Sequence, residues 1–289
     1  MKHLVFLINP NSGVDRVKDF ADTIQTSLDQ RQFTYEIQYT EREKHGIELA
    51  RNASQNGAYG VVAIGGDGSV NDVLKGLVNT DTVMGIIPRG SGNGMARSLG
   101  IPLAVKEAVA IINRNKVQAT DVAYANENIF LSNAGVGFDA TIIQKFRQSK
   151  RRGFISYCSI IHDCIWGYKD ETYSLTVDGK TYTETAFIIN VANGKQLGYD
   201  FVIAPHADWT DGLLDVTVIR KFPKLMAVLL ALRLRTNSIH KSQYVRTFRG
   251  KHISVSAARI DLLQTDGDSH RTQSPVVFHV SGKQNIFVP

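Results

Sequence analysis

Gly60-Val61-Val62-Ala63-Ile64-Gly65-Gly66-Asp67-Gly68-Ser69-Val70-Asn71 is the stretch on which the fold turns. Its first five residues form a short apolar run bounded by turn residues, the pattern of a strand buried on both faces. The run breaks at a pair of glycines, and Val70–Val78 then repeats its apolar residues at helical spacing. Strand, glycine turn and helix in that order are half of a parallel-sheet crossover.

The same grammar recurs on both sides. Leu4–Asn9 reads as a buried strand that breaks at Asn9-Pro10-Asn11-Ser12-Gly13, after which Phe20, Ile24 and Leu28 follow at helical spacing. Tyr35–Tyr39 alternates as a strand and Ile47–Asn56 reads as a helix. Val83–Ile87 is another apolar run, ending in Pro88-Arg89-Gly90-Ser91-Gly92-Asn93-Gly94 before a helix from Met95. Strands alternating with helices predict an α/β domain over residues 1–120. Beyond about residue 120 the pattern changes to short β-branched segments separated by turns: Tyr173–Val177, Thr181–Phe187, Thr185–Val191, Leu214–Ile219, His252–Ser256 and Val276–Val280. Asp178-Gly179 is a strong two-residue hairpin signal. Residues 121–289 therefore read as an antiparallel β-sandwich domain, interrupted by helices near Ile142–Tyr168 and Pro223–Arg235, with a last strand that can return to the first domain.

Composition narrows the class. The 289 residues are 43% hydrophobic and 21% charged, as in an ordinary folded protein, and the length suits two domains. The longest apolar run, Leu225–Leu232, is too short to cross a membrane, and the N-terminus lacks a signal-peptide pattern. Cys158 and Cys164 are too few for a disulfide framework and read as core residues of a reduced, cytoplasmic protein. Charge is uneven. Residues 1–144 hold 13 Lys and Arg against 15 Asp and Glu, and residues 145–289 hold 20 against 12. A basic second half points to an anionic partner, and the absence of nucleic-acid motifs points away from DNA or RNA.

The two glycine turns are where chemistry is expected. Glycine lets phosphate oxygens approach backbone amides, and the helix that follows offers unpaired N–H groups. Neither turn contains the Gly-Lys-Ser/Thr of a Walker loop, and Met95 stands where a dinucleotide fingerprint needs its last glycine. Both nucleotide motifs are thereby excluded. Two such turns at the carboxyl end of one parallel sheet, with Asp67 in the first, still mark a phosphate site.

Five segments together resemble the diacylglycerol kinase catalytic-domain family, which includes soluble bacterial lipid kinases and the sphingosine and ceramide kinases. They are Asn9-Pro10-x-Ser12-Gly13; Gly65-Gly66-Asp67-Gly68-Ser69-Val70-Asn71; Pro88-Arg89-Gly90-Ser91-Gly92-Asn93; Asn133-Ala134-Gly135-Val136-Gly137-Phe138-Asp139-Ala140; and Ala204-Pro205 through Asp211-Gly212-Leu213-Leu214-Asp215. Gly-Gly-Asp-Gly alone is shared with NAD kinases and phosphofructokinases; the five in order are far more specific. The resemblance implies an NAD kinase/phosphofructokinase-like nucleotide domain followed by a lipid-binding β-sandwich, and an ATP- and Mg²⁺-dependent kinase acting on the hydroxyl of a diacylglycerol, monoacylglycerol or sphingoid base.

Carried over residue by residue, the resemblance assigns ATP contacts to Asn9, Asn11, Thr40, Gly65, Gly66, Asp67, Gly68, Ser69, Val70, Asn71, Gly90, Ser91 and Asn93. Asp67, Asp266 and Asp268 fall at catalytic positions, and Asp139 borders the lipid. Asp208, Asp211 and the Leu213 carbonyl match a Mg²⁺ site of the bacterial members, a sound set of oxygen donors. Two positions depart from the family pattern. Gly94 replaces a usual Asp, as in sphingosine kinases, and Asp268 stands where the family has Glu, shortening its reach by about one carbon–carbon bond. The alternatives are an NAD kinase-like enzyme and a nucleotide- or lipid-binding protein that has lost turnover.

A soluble enzyme with a lipid substrate works at a membrane surface. The basic stretch Lys145–Arg152, with Phe146 and Phe154, and the Leu-rich helix 223–235 are the two candidate contacts with an anionic membrane; each also reads as a packed helix with solvated ends. Self-association into a homo-oligomer is left open.

Overall fold

The computed structural model describes residues 1–10, 12, 17–149 and 153–289. Asn11 and Gly13 of the opening loop, and Lys150, Arg151 and Arg152 of the basic stretch, lie outside the described residues. The chain divides into two units, residues 1–120 with 282–289, and residues 121–281.

The first unit alternates as the sequence predicts: β1 (Lys2–Ile8), α1 (Val17–Ser27), β2 (Phe33–Tyr39), α2 (His45–Gln55), β3 (Gly60–Gly65), α3 (Asp67–Leu77), β4 (Val83–Pro88), α4 (Gly94–Ser98) and α5 (Val105–Arg114). The strands pair in parallel in the order β2-β1-β3-β4, with Phe6 opposite both Ile37 and Val62. Leu4, Phe6, Ile8, Ile64 and Met84 are fully buried, and each such side chain contributes roughly 1.5–3 kcal/mol of burial. That apolar centre explains why the strands read as continuous hydrophobic runs.

The second unit is antiparallel. β5 (Val117–Ala125) enters it and is followed by β6 (Asn128–Phe130), β7 (Asn133–Gly137), α6 (Phe138–Gln148), α7 (Phe154–Ile165), β8 (Glu171–Val177), β9 (Lys180–Ala192), β10 (Gln196–Gly198) and β11 (Phe201–Val202). Then come β12 (Leu214–Arg220), α8 (Ala227–Arg235), β13 (Val245–Gly250), β14 (His252–Ala257), β15 (Leu262–Thr265), β16 (Asp268–Arg271) and β17 (Val276–Phe287). β9 organises the unit: its start pairs with β8, and its end pairs with β7 on one side and β12 on the other. One core gathers Phe130, Leu175, Val191, Val216 and Phe278; a second gathers Phe138, Ile142, Phe187, Phe222 and Leu230 under the helices.

Four sequence readings are corrected. The helix expected over Ile142–Tyr168 is two helices, separated around Gly153, whose φ of 92° no other residue type adopts easily. The segments Thr181–Phe187 and Thr185–Val191 are one 13-residue strand. The strand read as Val276–Val280 runs on to Phe287 through the polar stretch 281–285, and Ile286 pairs with Met84 in the first unit. Cys158 is exposed rather than a core residue. The Asp178-Gly179 hairpin forms as read, with both residues at positive φ.

Candidate active site

In the first unit the sheet order reverses direction between β1 and β3, and a parallel sheet binds ligands at the carboxyl end of such a point. Asn9 follows β1 there, and its side-chain Nδ2 donates to Ser69 Oγ at 3.2 Å. Ser12 Oγ donates back to the Asn9 carbonyl at 2.9 Å, closing the opening loop. Thr40, just past β2, donates its N–H to the Ile8 carbonyl at 2.9 Å. The first glycine turn follows β3 and the second follows β4. The Arg89 N–H donates to the Gly65 carbonyl at 2.8 Å, so the two strands deliver the turns side by side. A Cβ on Gly90 would stand 2.5 Å from Gly66 Cα, which places the backbones of the turns in direct contact.

Asp67 starts α3, and its carboxylate reaches across to the start of α4. Met95 N–H donates to Oδ1 at 3.3 Å, and the amides of Gly94 and Asn93 also hydrogen-bond this carboxylate. Burial pushes its pKa up, against the pull of those amides. Asn93 shapes the second turn, accepting from Gly90 N–H at 2.8 Å and donating to the Gly90 carbonyl at 2.7 Å. Ser91 is exposed on the same edge. Val70 and Asn71 point inward. Val70 packs in the core, and the fully buried Asn71 amide has no hydrogen-bond partner among the described residues. The first unit therefore brings together the described ATP residues assigned from the motifs. Glycine backbones in such close approach at the starts of two helices suit a phosphate-bearing ligand.

Arg89 is a neighbour of these turns that motif reading passed over. Its guanidinium lies over the Phe20 ring at 4.4 Å and reaches the Asn9 carbonyl at 3.5 Å, joining the opening loop to the second turn. The signal was present in Pro88-Arg89-Gly90, a cation beside a phosphate turn.

The second unit holds the remaining candidates. Asp266 and Gly267 form the turn between β15 and β16, both at positive φ. The Asp266 carboxylate accepts three backbone N–H groups, from Leu131 at 2.7 Å, Ser132 at 2.8 Å and Asn133 at 3.0 Å. These three hydrogen bonds tie the buried Asp266 carboxylate to the loop 131–133 and hold that loop in place. Asp268 accepts from Arg147 Nη1 at 2.6 Å, at a partly exposed site.

Asp139 lies in the first turn of α6, and burial raises its pKa to about 7, opposed by hydrogen bonds from Ala140 N–H, Gln264 and Asn190. Gln264 Nε2 also donates to Asn133 Oδ1 at 2.9 Å, and Asn190 Nδ2 to the same oxygen at 3.3 Å. This buried amide network was invisible in the sequence, because its members come from β7, β9 and β15. Gly135 makes room for it; a Cβ there would stand 2.5 Å from Asp139 Oδ2.

Asp208, Asp211 and Leu213 share one turn. Asp208 Oδ1 accepts from Thr210 N–H and Oγ1, at 3.0 and 2.7 Å, and Asp211 Oδ1 accepts from Leu213 N–H at 2.9 Å. Asp121 braces the turn by accepting from Gly212 N–H at 2.7 Å. Arg249, unforeseen in the sequence, ion-pairs with Asp211 and lies 3.4 Å from Asp215.

Residues 3–125 match the diacylglycerol kinase catalytic domain family, and residues 132–284 match the family of the YegS C-terminal NAD kinase beta sandwich-like domain. The chain belongs to the diacylglycerol kinase family, and its class is that of a lipid kinase. A diacylglycerol kinase of Bacillus subtilis is 24% identical over 275 residues, spanning 93% of this chain and 90% of that one. A probable lipid kinase YegS-like protein of Chromohalobacter salexigens is 31% identical over 188 residues, 62% of this chain and 60% of the other. The crystal structure of a diacylglycerol kinase from Bacillus anthracis superimposes with a TM-score of 0.75 at 20% identity, covering 100% of this chain and 97% of that one, and shows the fold.

Proposed function

We propose that the chain is an ATP- and Mg²⁺-dependent kinase that phosphorylates the primary hydroxyl of a diacylglycerol, monoacylglycerol or sphingoid base. The observation that carries this reading is the Asp67 carboxylate, held between two glycine turns whose backbones touch at Gly66 and Gly90. The turns would cradle the ATP phosphates, with Asn9, Thr40 and Ser91 at the rim. The acceptor oxygen attacks the γ-phosphorus while its bond to the bridging oxygen of ADP breaks, and the hydroxyl proton passes to a carboxylate. Asp67 suits that proton, because burial raises its affinity for one. A positioned base contributes about 10²–10⁴-fold, and the rest of the rate comes from placement and charge neutralisation. Mg²⁺ bound with ATP would neutralise phosphate charge.

Asp208, Asp211 and the Leu213 carbonyl form an all-oxygen donor set that fits a second Mg²⁺. Arg249 is its competitor at Asp211, so ion binding there requires the guanidinium to withdraw. In the second unit Asp139 is the residue we assign to the lipid head, while Asp266 serves as a positioning residue. Asp268, partly exposed and paired with Arg147, is the second carboxylate of the Asp-Gly-Asp turn to which we assign a part in proton transfer.

A kinase assay with labelled ATP over a panel of diacylglycerol, monoacylglycerol, sphingosine and NAD tests the reading. Phosphate on a lipid is expected. Transfer to NAD alone would support the second reading, an NAD kinase-like enzyme, with which the NAD kinase beta sandwich-like family of residues 132–284 is consistent. No transfer to any acceptor would leave a binding protein.

A further inference from the structure

Between Lys224 and Arg233, the 3-10 turn Lys224–Met226 and helix α8 carry the unbroken apolar run Leu225–Leu232, which covers both their inner and outer sides. The inner side is accounted for: Leu230 is buried, and Met226, Ala227 and Leu234 pack against the core beneath. The outer side is not. Leu225, Val228, Leu229 and Leu232, spaced as one helical stripe, are 78%, 71%, 47% and 54% exposed. A helix that is hydrophobic all round is normally buried all round, and a contiguous exposed stripe of this kind marks a docking surface.

We infer that this outer face of α8 docks the protein on an anionic lipid bilayer. Charge selects the occupant. From residue 216 to residue 260 the sequence has ten Lys and Arg and no Asp or Glu. Lys224, Arg246, Arg249 and Arg259 are ion-paired with acids outside that stretch, and Lys221, Arg233 and Arg235 are the cations that flank the stripe. Lys221 precedes the helix and Arg235 ends it, both exposed, the flanking arrangement of a helix lying in the plane of a membrane interface. A second copy of the chain meeting the same face two-fold would set these like charges against each other.

The surface extends beyond one helix. The Arg235 guanidinium lies 5.9 Å from the centroid of the Phe201 ring, and Phe154 at the start of α7 packs on that same ring at 6.1 Å. Ile155, the next residue of α7, is 86% exposed. The start of α7 and the end of α8 thus meet at Phe201. The partner rests on the lipid-kinase reading only in that a lipid acceptor is supplied from a bilayer; the exposed stripe and its charge stand without it.

The test is co-sedimentation of the full chain with vesicles of phosphatidylglycerol and phosphatidylcholine, and with phosphatidylcholine alone. Binding to the anionic vesicles that weakens with salt is expected, and Val228→Glu with Leu232→Glu should lower it by about tenfold or more. Both positions are exposed, so the melting curve should not move. Leu232→Trp supplies an independent readout: its emission should shift to the blue, and brominated lipid should quench it. Anionic-vesicle binding by the double glutamate variant equal to wild type, an unmoved tryptophan on bound protein, or no wild-type binding would each overturn the inference. So would a wild-type dimer in sedimentation equilibrium that the same variant dissociates. Phosphorylation of a dispersed short-chain acceptor is measured in parallel and should be equal in variant and wild type. Its absence in wild type would count against the kinase reading and leave the vesicle result to stand alone.

Discussion

Gly66 and Gly90 meet backbone to backbone: a Cβ on Gly90 would lie 2.5 Å from Gly66 Cα, too close to fit, and one on Gly66 would lie a tight 3.2 Å from Gly90 Cα. The two turns are therefore one surface in the first unit. Gly90→Ala should force them apart at a cost of about 1–3 kcal/mol, the usual range for overpacking. The expected result is a folded protein whose KM for ATP rises while its interaction with lipid vesicles is unchanged. Steady-state kinetics at varied ATP checks it, and an unchanged KM would remove the glycine contact from the nucleotide site.

Asp67 buries little apolar surface, yet its carboxylate meets the amides at the start of α4. Asp67→Asn keeps the shape and still accepts a hydrogen bond, but it removes the charge and the proton acceptor. Turnover should fall at least about a hundredfold, the lower bound for a positioned base, with the melting temperature close to wild type. Activity within about tenfold, roughly 1.4 kcal/mol of barrier, would exclude Asp67 from proton transfer.

The first unit was the more legible half of the sequence. Its strands are buried on both faces, so Val61–Ile64 and Val83–Ile87 announce themselves as apolar runs, and the glycines after them mark the ligand edge. The Asp178-Gly179 hairpin was legible for a local reason too, since only a few residues tolerate its positive φ angles. What escaped was non-local. Nothing in Asp266-Gly267-Asp268 says that three amides more than 130 residues earlier fill the first carboxylate. The polar run 281–285 hid the continuation of β17, although Gln284 is fully buried there and donates to the Thr82 carbonyl at 2.8 Å. Arg249 lies 38 residues from Asp211, and no periodicity links them.

The two acids of the Asp266–Asp268 turn should separate experimentally. Asp266→Ala orphans three buried N–H groups, a loss of about 3–5 kcal/mol, so stability and activity should fall together. Asp268→Ala breaks a partly exposed ion pair worth about 1 kcal/mol or less. Its melting curve should hardly move, and any loss of turnover then reports chemistry or substrate placement. Denaturant titration alongside kinetics distinguishes the two, and a destabilised Asp268→Ala with wild-type activity would reverse the assignment.

Arg249 and a divalent cation compete for Asp211. Without nucleotide, Mg²⁺ should raise the melting temperature of Arg249→Gln more than that of wild type, because the variant frees a carboxylate oxygen for the ion. Asp208→Asn in the same background should cancel the gain. Equal responses of wild type and Arg249→Gln would show that no ion enters this turn.

Asp139 supplies a pH signature of opposite sign to that of a salt-bridged carboxylate. Its pKa rises from an ordinary 3.8 to about 7, chiefly through burial, so the folded chain keeps a proton that the unfolded chain releases. On this account stability falls as pH climbs from about 4 to about 7, where the unfolded state binds fewer protons, and is flat above. The shift corresponds to at most about 4 kcal/mol at the plateau. Asp139→Asn removes the ionisation while Gln264, Asn190 and Ala140 retain an oxygen to address. The variant should therefore be more stable than wild type above about pH 7, and the gap should close steadily toward about pH 4. Urea titrations across that range measure it directly. A gap independent of pH would mean that Asp139 is ionised throughout in the native protein, and burial would then not be what governs it.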